Sequence, residues 1–229
     1  MKKILITGHS GYIGSNLWDW LKSDYKLFGI DKPIDLVDCS LSEFIDVDFV
    51  IHLAALTGVR ESLKNPHQYF SNNILSTTRI FDAYSSTKTK ILFASTSAVG
   101  ELASPYAMSK YACELLKPKN CTIMRFFTVW GGKNYRKNML YGLSKDDKLE
   151  YITNQSRDYT HIDDVCRAVK LIMEKGDSNE LYEVGNGQPI KNVDFLSSVG
   201  YTKSLPIKEV TGESISTCAD NAKLKELGW

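Results

Sequence analysis

Apolar positions along this chain fall into two rhythms. Short continuous runs that end in a small or polar residue read as strands buried on both faces: "KILITG" (3–8), "KLFGID" (26–31), "DFVIHLAA" (48–55), "KILFAST" (90–96), "CTIMRFF" (121–127) and "ELYEVG" (180–185). Between them the spacing turns helical. "GYIGSNLWDWLKS" (11–23) carries Ile13, Leu17, Trp20 and Leu21 on one stripe, and "PHQYFSNNILSTTRIFDAYSS" (66–86) reads as a long helix. "PYAMSKYACELLK" (105–117) opens on Pro105, and "HIDDVCRAVKLIMEKG" (161–176) runs from an acidic pair to Gly176. The alternation predicts an α/β fold, a Rossmann-type doubly wound parallel sheet with helices on both faces. It breaks over 128–156 and again after 186, where a small C-terminal lobe is expected over one end of the sheet.

Composition narrows the class little. With 229 residues, 43% hydrophobic and 24% charged, the chain is long enough for one sizeable core. A formal net charge of +1 gives no bulk field to recruit nucleic acid or an anionic membrane, so any anion site must be local. Five cysteines with no CxxC pair suggest reduced thiols rather than a disulfide framework or a zinc site, and no metal is expected. "MKKILITG" has too short an apolar run for a signal peptide, and no run reaches membrane-spanning length, so a cytoplasmic protein is expected.

The loop "TGHSGYIGS" changes the picture. Its glycines stand at 8, 11 and 14, after a predicted strand and opening a predicted helix. A turn this tight needs residues without a Cβ, and the free N–H groups and dipole of the helix start favour a pyrophosphate. Asp31 follows at the end of the next strand, where a carboxylate accepts a ribose 2′-OH and repels a 2′-phosphate. NAD is therefore the expected cofactor, held by Gly8, Ser10, Gly11, Tyr12, Ile13, Gly14 and Asp31, although the adjacent Lys32 is placed to meet a phosphate. The core is then 1–127, with 157–185 packing back onto it, and 128–156 plus 186–229 form the substrate lobe.

A second cluster lies in "ASTSAVGELASPYAMSK" (94–110). Tyr106 and Lys110 are one helical turn apart and share a face. A phenol titrates near ~10 and needs help to act as a base at neutral pH; an ammonium nearby supplies it. Tyr106 then removes a proton from a substrate hydroxyl while Thr96 bonds the same oxygen. By itself the YxxxK pattern is an ordinary amphipathic helix face; its place after a strand of a dinucleotide-binding sheet favours chemistry.

Taken together these motifs resemble the extended short-chain dehydrogenase/reductases, in their NAD-dependent nucleotide-sugar epimerase/dehydratase branch. "DLVD" (35–38) resembles the segment whose Asp and apolar residue touch the adenine, which implies Asp35 and Leu36. "VIHLAA" (50–55) matches the third strand and implies Leu53, Ala54 and Ala55 at the cofactor. "NPHQYFSNNILSTTRIFDA" (65–83) is similar to the helix whose Asn falls at Asn73. "STSAVG", "RFFTVWG", "RDYTHIDDV" and "YEVGNGQPI" follow in family order. The resemblance implies Thr96, Tyr106 and Lys110 as the catalytic set, Tyr106 and Lys110 also touching the cofactor. It implies Ser97, Thr128 and Arg157 on the substrate side, with an Arg157–Asp164 bond as the structural alternative. It also implies a homodimer through the 66–84 and 105–117 helices.

The chain departs from that pattern in places. Only ten positions separate Thr96 from Tyr106, the 128–156 lobe is abbreviated, and Thr128 replaces a family Asn that helps hold the diphosphate. Ser97 and Ala98 stand where dehydratases carry Asp-Glu, which argues against water elimination. Three functions stay open: a nucleotide-sugar epimerase oxidising transiently at C4, an NAD(P)-dependent reductase or dehydrogenase of a keto-sugar or smaller carbonyl, and a non-catalytic dinucleotide-binding module. Trp130, Tyr135 and Tyr159 are candidates to stack on a base, with core packing the default.

Overall fold

A computed structural model describes residues 1–32, 36–209 and 214–229. From the N-terminus, β1 (Lys3–Thr7), α1 (Tyr12–Leu21), β2 (Lys26–Ile30), β3 (Phe49–His52), α2 (Val59–Lys64) and α3 (Pro66–Tyr84) are followed by β4 (Lys90–Thr96), α4 (Pro105–Leu115) and β5 (Cys121–Phe126). The next stretch is built of short pieces: β6 (Thr128–Trp130), α5 (Leu140–Lys145), β7 (Ile152–Thr153), β8 (Ser156–Arg157) and β9 (Tyr159–His161). Then come α6 (Ile162–Lys175) and β10 (Leu181–Val184). The chain finishes through β11 (Ile190–Lys191), α7 (Asn192–Ser198), β12 (Ile207–Lys208) and α8 (Ala222–Glu226).

Six strands form one parallel sheet in the order β10-β5-β4-β3-β1-β2. The chain leaves β1 to one side for β2, then returns to the other side for β3, so strand order reverses beside β1. Ligands of open parallel sheets bind beyond the strand ends at such a reversal. Both faces are covered, which is why the strands are continuously apolar. One core gathers Ile4, Ile6, Ile51, Leu92 and Met124 with Leu17 and Leu21 of α1 and Val165, Val169 and Ile172 of α6. The other gathers Leu5, Val50, Ile91, Phe93 and Ile123 with Ile80, Phe81 and Tyr84 of α3 and Cys113 of α4. Emptying one of these fully buried positions, as in Leu92→Ala, costs about 2–5 kcal/mol.

Helix starts follow local chemistry. Ser104 caps α4 by accepting the Ala107 N–H at 3.2 Å, and Pro105 follows at the first turn. In α6, Asp163 and Asp164 lie in the first turn and Lys175 in the last, as the helix dipole favours. One expected core residue is displaced. Trp20 is 38% exposed and donates to Asp163, while Trp18 packs against the core instead.

The break in periodicity after 127 corresponds to three two-stranded pairings outside the main sheet: β6–β9, β7–β12 and β8–β11. β10 adds to the main sheet beside β5. Asp158, fully buried, accepts the N–H groups of Asn186, Gly187 and Ala219, tying the C-terminal segment to the sheet edge. No described helix is long and apolar enough to cross a membrane.

Candidate active site

A cleft of about 1490 Å³ opens over the strand reversal. That exceeds the ~300–1,000 Å³ of an ordinary small-molecule pocket and leaves room for two ligands side by side.

At one end lies the glycine loop. Gly8 has φ +74°, and a Cβ there would stand 2.8 Å from the Ala54 nitrogen. A Cβ on Gly14 would run into the Gly8 carbonyl oxygen. The loop can therefore close on the β3 end only with glycine at both places. Gly11 sits at the start of α1 with no side-chain cap, so the first N–H groups of that helix face the cleft unclaimed. Asp31 stands opposite; its Oδ2 accepts the Ser10 N–H at 2.8 Å and hydroxyl at 2.6 Å, and its Oδ1 accepts the Lys32 N–H at 2.8 Å. Burial pushes this carboxyl up, but those bonds and His9 outweigh it and hold it below the usual range. The donor-rich cradle and the anionic edge fit a dinucleotide.

Gly8, Gly11, Tyr12, Ile13, Gly14, Asp31, Leu36, Leu53, Ala54 and Ala55 all line the cleft, together with Thr96, Ser97, Tyr106, Lys110, Thr128 and Arg157. Ser10 does not line it and acts on Asp31. Asn73 is fully buried behind it; its amide clamps the Leu56 N–H and carbonyl and donates to Ser109, so it shapes the cleft wall from outside. Asp35 lies outside the described residues.

Thr96 ends β4, and Tyr106 lies in the first turn of α4. A 3₁₀ turn at Ser97–Gly100 and four further residues connect them, with Leu102 at φ 51°. The connection is short, yet it brings the Thr96 side chain close enough to the Tyr106 phenol to act on it, while the Thr96 hydroxyl accepts the Ala98 N–H at 3.3 Å. Burial raises the phenol; Arg136 and Thr96 pull it down. Lys110 is not among the groups acting on it here. The Lys110 side chain is only 2% exposed, and its ammonium lies 4.1 Å from the Phe93 ring centre. Burial lowers it to about 8, against the opposing pull of Cys113 and Glu114.

Arg136 escaped sequence reasoning because it sits where periodicity fails. It is exposed, lines the cleft and acts on the phenols of Tyr12, Tyr69 and Tyr106. Its guanidinium has no hydrogen bond or ion pair to any described residue. The stretch leading to it is stitched to α1: Tyr12 Oη donates to the Gly131 carbonyl at 2.8 Å, Asn16 exchanges two bonds with the Lys133 backbone, Lys133 pairs with Asp19, and Asn134 donates to Ser15. Arg157 donates to the carbonyls of Ser156 and Ser214, and Asp164 pairs with Arg167, so the proposed Arg157–Asp164 bond does not form. The aromatics pack on protein. Tyr159 stacks on Phe195 at 3.6 Å, Trp130 meets Tyr141, His161 and Phe195, and Tyr135 meets Tyr141.

Fold, glycine cradle and carboxylate define a dinucleotide-binding protein of the Rossmann type. The sequence signature of the NAD dependent epimerase/dehydratase family matches residues 4–185, and the chain belongs to that family. It is thus an NAD-dependent enzyme of the extended short-chain dehydrogenase/reductase type. It is 28% identical to the uncharacterized UDP-glucose epimerase YtcB of Bacillus subtilis, over 98% of this chain and 91% of the relative. Among solved structures it is similar to MoeE5 in complex with UDP-glucuronic acid and NAD (TM-score 0.87, 27% identity, 99% of this chain and 93% of that one). It is also similar to the UDP-glucuronic acid 4-epimerase from Bacillus cereus in complex with UDP-glucuronic acid and NAD (TM-score 0.86, 28% identity, 98% and 92%).

Proposed function

We propose that this enzyme is a nucleotide-sugar 4-epimerase that works by transient oxidation of a sugar hydroxyl, with Thr96, Tyr106 and Lys110 as its catalytic set. The observation that carries the reading is that Thr96, Tyr106 and Lys110 line one cleft with the glycine cradle, a cleft large enough for two ligands. The structures of MoeE5 and the Bacillus cereus epimerase with a UDP-sugar and NAD support it by analogy.

NAD, when bound in the glycine cradle, supplies the hydride acceptor and donor. The remaining work falls to side chains. Tyr106 takes the proton of the C4 hydroxyl and returns it after the sugar has turned over. Thr96 donates to the same oxygen and shares the proton. Lys110, one turn away and lining the same cleft, offers its ammonium to the cofactor ribose and to the phenolate. Gly8, Gly11 and Gly14 let the backbone approach the pyrophosphate, and Asp31 accepts the adenosine ribose. Arg136 and Arg157 face the substrate's phosphates, with Ser97 and Thr128 on the sugar side. The protein acts as a homodimer through α3 and α4.

A second reading is a dehydrogenase or reductase that exchanges its cofactor, favoured by the short Glu101–Ser104 connection, which offers little surface for a nucleotide sugar. Purified protein separates the two. An epimerase retains NAD and interconverts UDP-sugars without net consumption of external cofactor. Stoichiometric turnover of added NADH or NADPH would replace the first reading by the second. In either case Tyr106→Phe should lower turnover by about 10²–10⁴ at unchanged cofactor occupancy. Equal turnover would remove Tyr106 from the chemistry.

A further inference from the structure

Glu114 is a carboxylate the proposed chemistry does not use, yet it is 6% exposed and sits at the junction of three elements. It lies one turn beyond Lys110 on α4, which lies one turn beyond Tyr106, so the three form one stripe along the helix. Its Oε1 accepts the Ser95 hydroxyl at 2.5 Å and Arg125 Nε at 3.0 Å, and its Oε2 accepts Arg125 Nη2 at 2.7 Å. Ser95 and Arg125 are register partners across β4 and β5, and Ser95 immediately precedes Thr96. Arg125 in turn pairs with Glu183 on β10.

We infer that Glu114 is a positioning residue for the Thr96–Tyr106–Lys110 set, locking α4 to the ends of β4 and β5 and keeping the buried Lys110 charged. The inference rests on the reading of that set given above.

A buried Arg–Glu pair alone is weak evidence for anything beyond structure. Two further observations point past that. First, the same carboxylate holds the residue next to Thr96, so it sets the distance between the strand end and the helix that must meet across the cleft. Second, the local charges balance as two cations, Lys110 and Arg125, against two carboxylates, Glu114 and Glu183. Arg125 cannot give up its proton. Lys110 can, because it has no hydrogen bond to any described residue. The groups facing Lys110 leave Glu114 as its principal anion. On α4, Cys113 is a thiol that burial keeps protonated. On β3, His52 is held neutral, lowered to about 3 by burial and by Lys110 itself. On β4 the Phe93 ring lies against Lys110. Neutralising Glu114 should therefore lower the pH at which Lys110 gives up its proton.

The test needs no substrate. Lysine ¹³Cε resonances are followed against pH, with Lys110 assigned by its absence in Lys110→Met. Wild type should titrate near 8. Glu114→Gln, which keeps the shape and most of the hydrogen bonds, should move that midpoint down by about one pH unit or more. Glu114→Asp should leave the midpoint near wild type while turnover falls, because the shorter side chain cannot reach Ser95 and Arg125 together. If Glu114→Gln does not fold, Glu114→Gln/Arg125→Met removes both buried charges and should still lower the midpoint, since Arg125 is not among the groups acting on Lys110. An unshifted midpoint in a folded variant overturns the inference. Full turnover by Tyr106→Phe would instead sink the functional reading and leave the Lys110 titration standing, so the two failures are distinguishable.

Discussion

The Lys110 ammonium lies 4.1 Å above the Phe93 ring, inside the sheet–helix interface rather than paired with an acid. A cation held this way is poised for a ligand at the expense of the fold. Its displacement to about 8 corresponds to about 3 kcal/mol against a free lysine. The unfolded chain keeps its proton up to the ordinary lysine value, so the penalty is full below pH 8 and fades between 8 and 10.5. Lys110→Met should thus melt higher than wild type at pH 7 and lose the alkaline gain in stability that wild type shows. Calorimetry at pH 7, 8.5 and 10 reads this directly; parallel pH profiles for the two proteins would show that Lys110 carries no such penalty.

In the proposed reading Asp31 selects the cofactor, and its carboxylate is already oriented by Ser10 and Lys32. Asp31→Ala should weaken NAD about tenfold or more, the worth of a hydrogen bond to a charged group, and narrow the gap to NADP. Titration of both cofactors by fluorescence is the check. Tighter binding of NADP than NAD by wild type would remove Asp31 from this role.

Arg136 has no protein partner among the described residues and faces the Tyr106 end of the cleft. Arg136→Ala should raise KM for a UDP-sugar about tenfold or more, as expected for losing a charge-assisted bond, with little change in NAD binding. Unchanged KM would leave the phosphates to Arg157.

The helices expected at a dimer interface carry exposed apolar side chains: Phe70 and Leu75 on α3, Met108 and Leu115 on α4, with Leu116 just beyond. Leu115, at 70%, is the most exposed of these. Light scattering should give a dimer at micromolar concentration, and Leu115→Glu should shift it to monomer. A monomeric wild type ends the idea.

The sequence by itself determined the sheet and its four main helices, because burial on both faces writes continuous apolar runs for strands and 3.6-residue spacing for helices. It also located the glycine cradle, since the close approaches at Gly8 and Gly14 admit no other residue. Trp20 shows the limit of periodicity: Leu17 and Leu21 are buried as the stripe requires, but Trp18 rather than Trp20 packs against the core. Tertiary structure alone decided the remainder. It turned Asn73 away from the cleft and spent its amide on Leu56 and Ser109. It brought Arg136 to the cleft by stitching 131–134 onto α1, across more than a hundred residues. It gave the Tyr106 phenol Arg136 and Thr96 as neighbours while sending the Lys110 ammonium to Phe93. Such contacts join segments distant in the chain, and the spacing of residues along a helix carries no record of them.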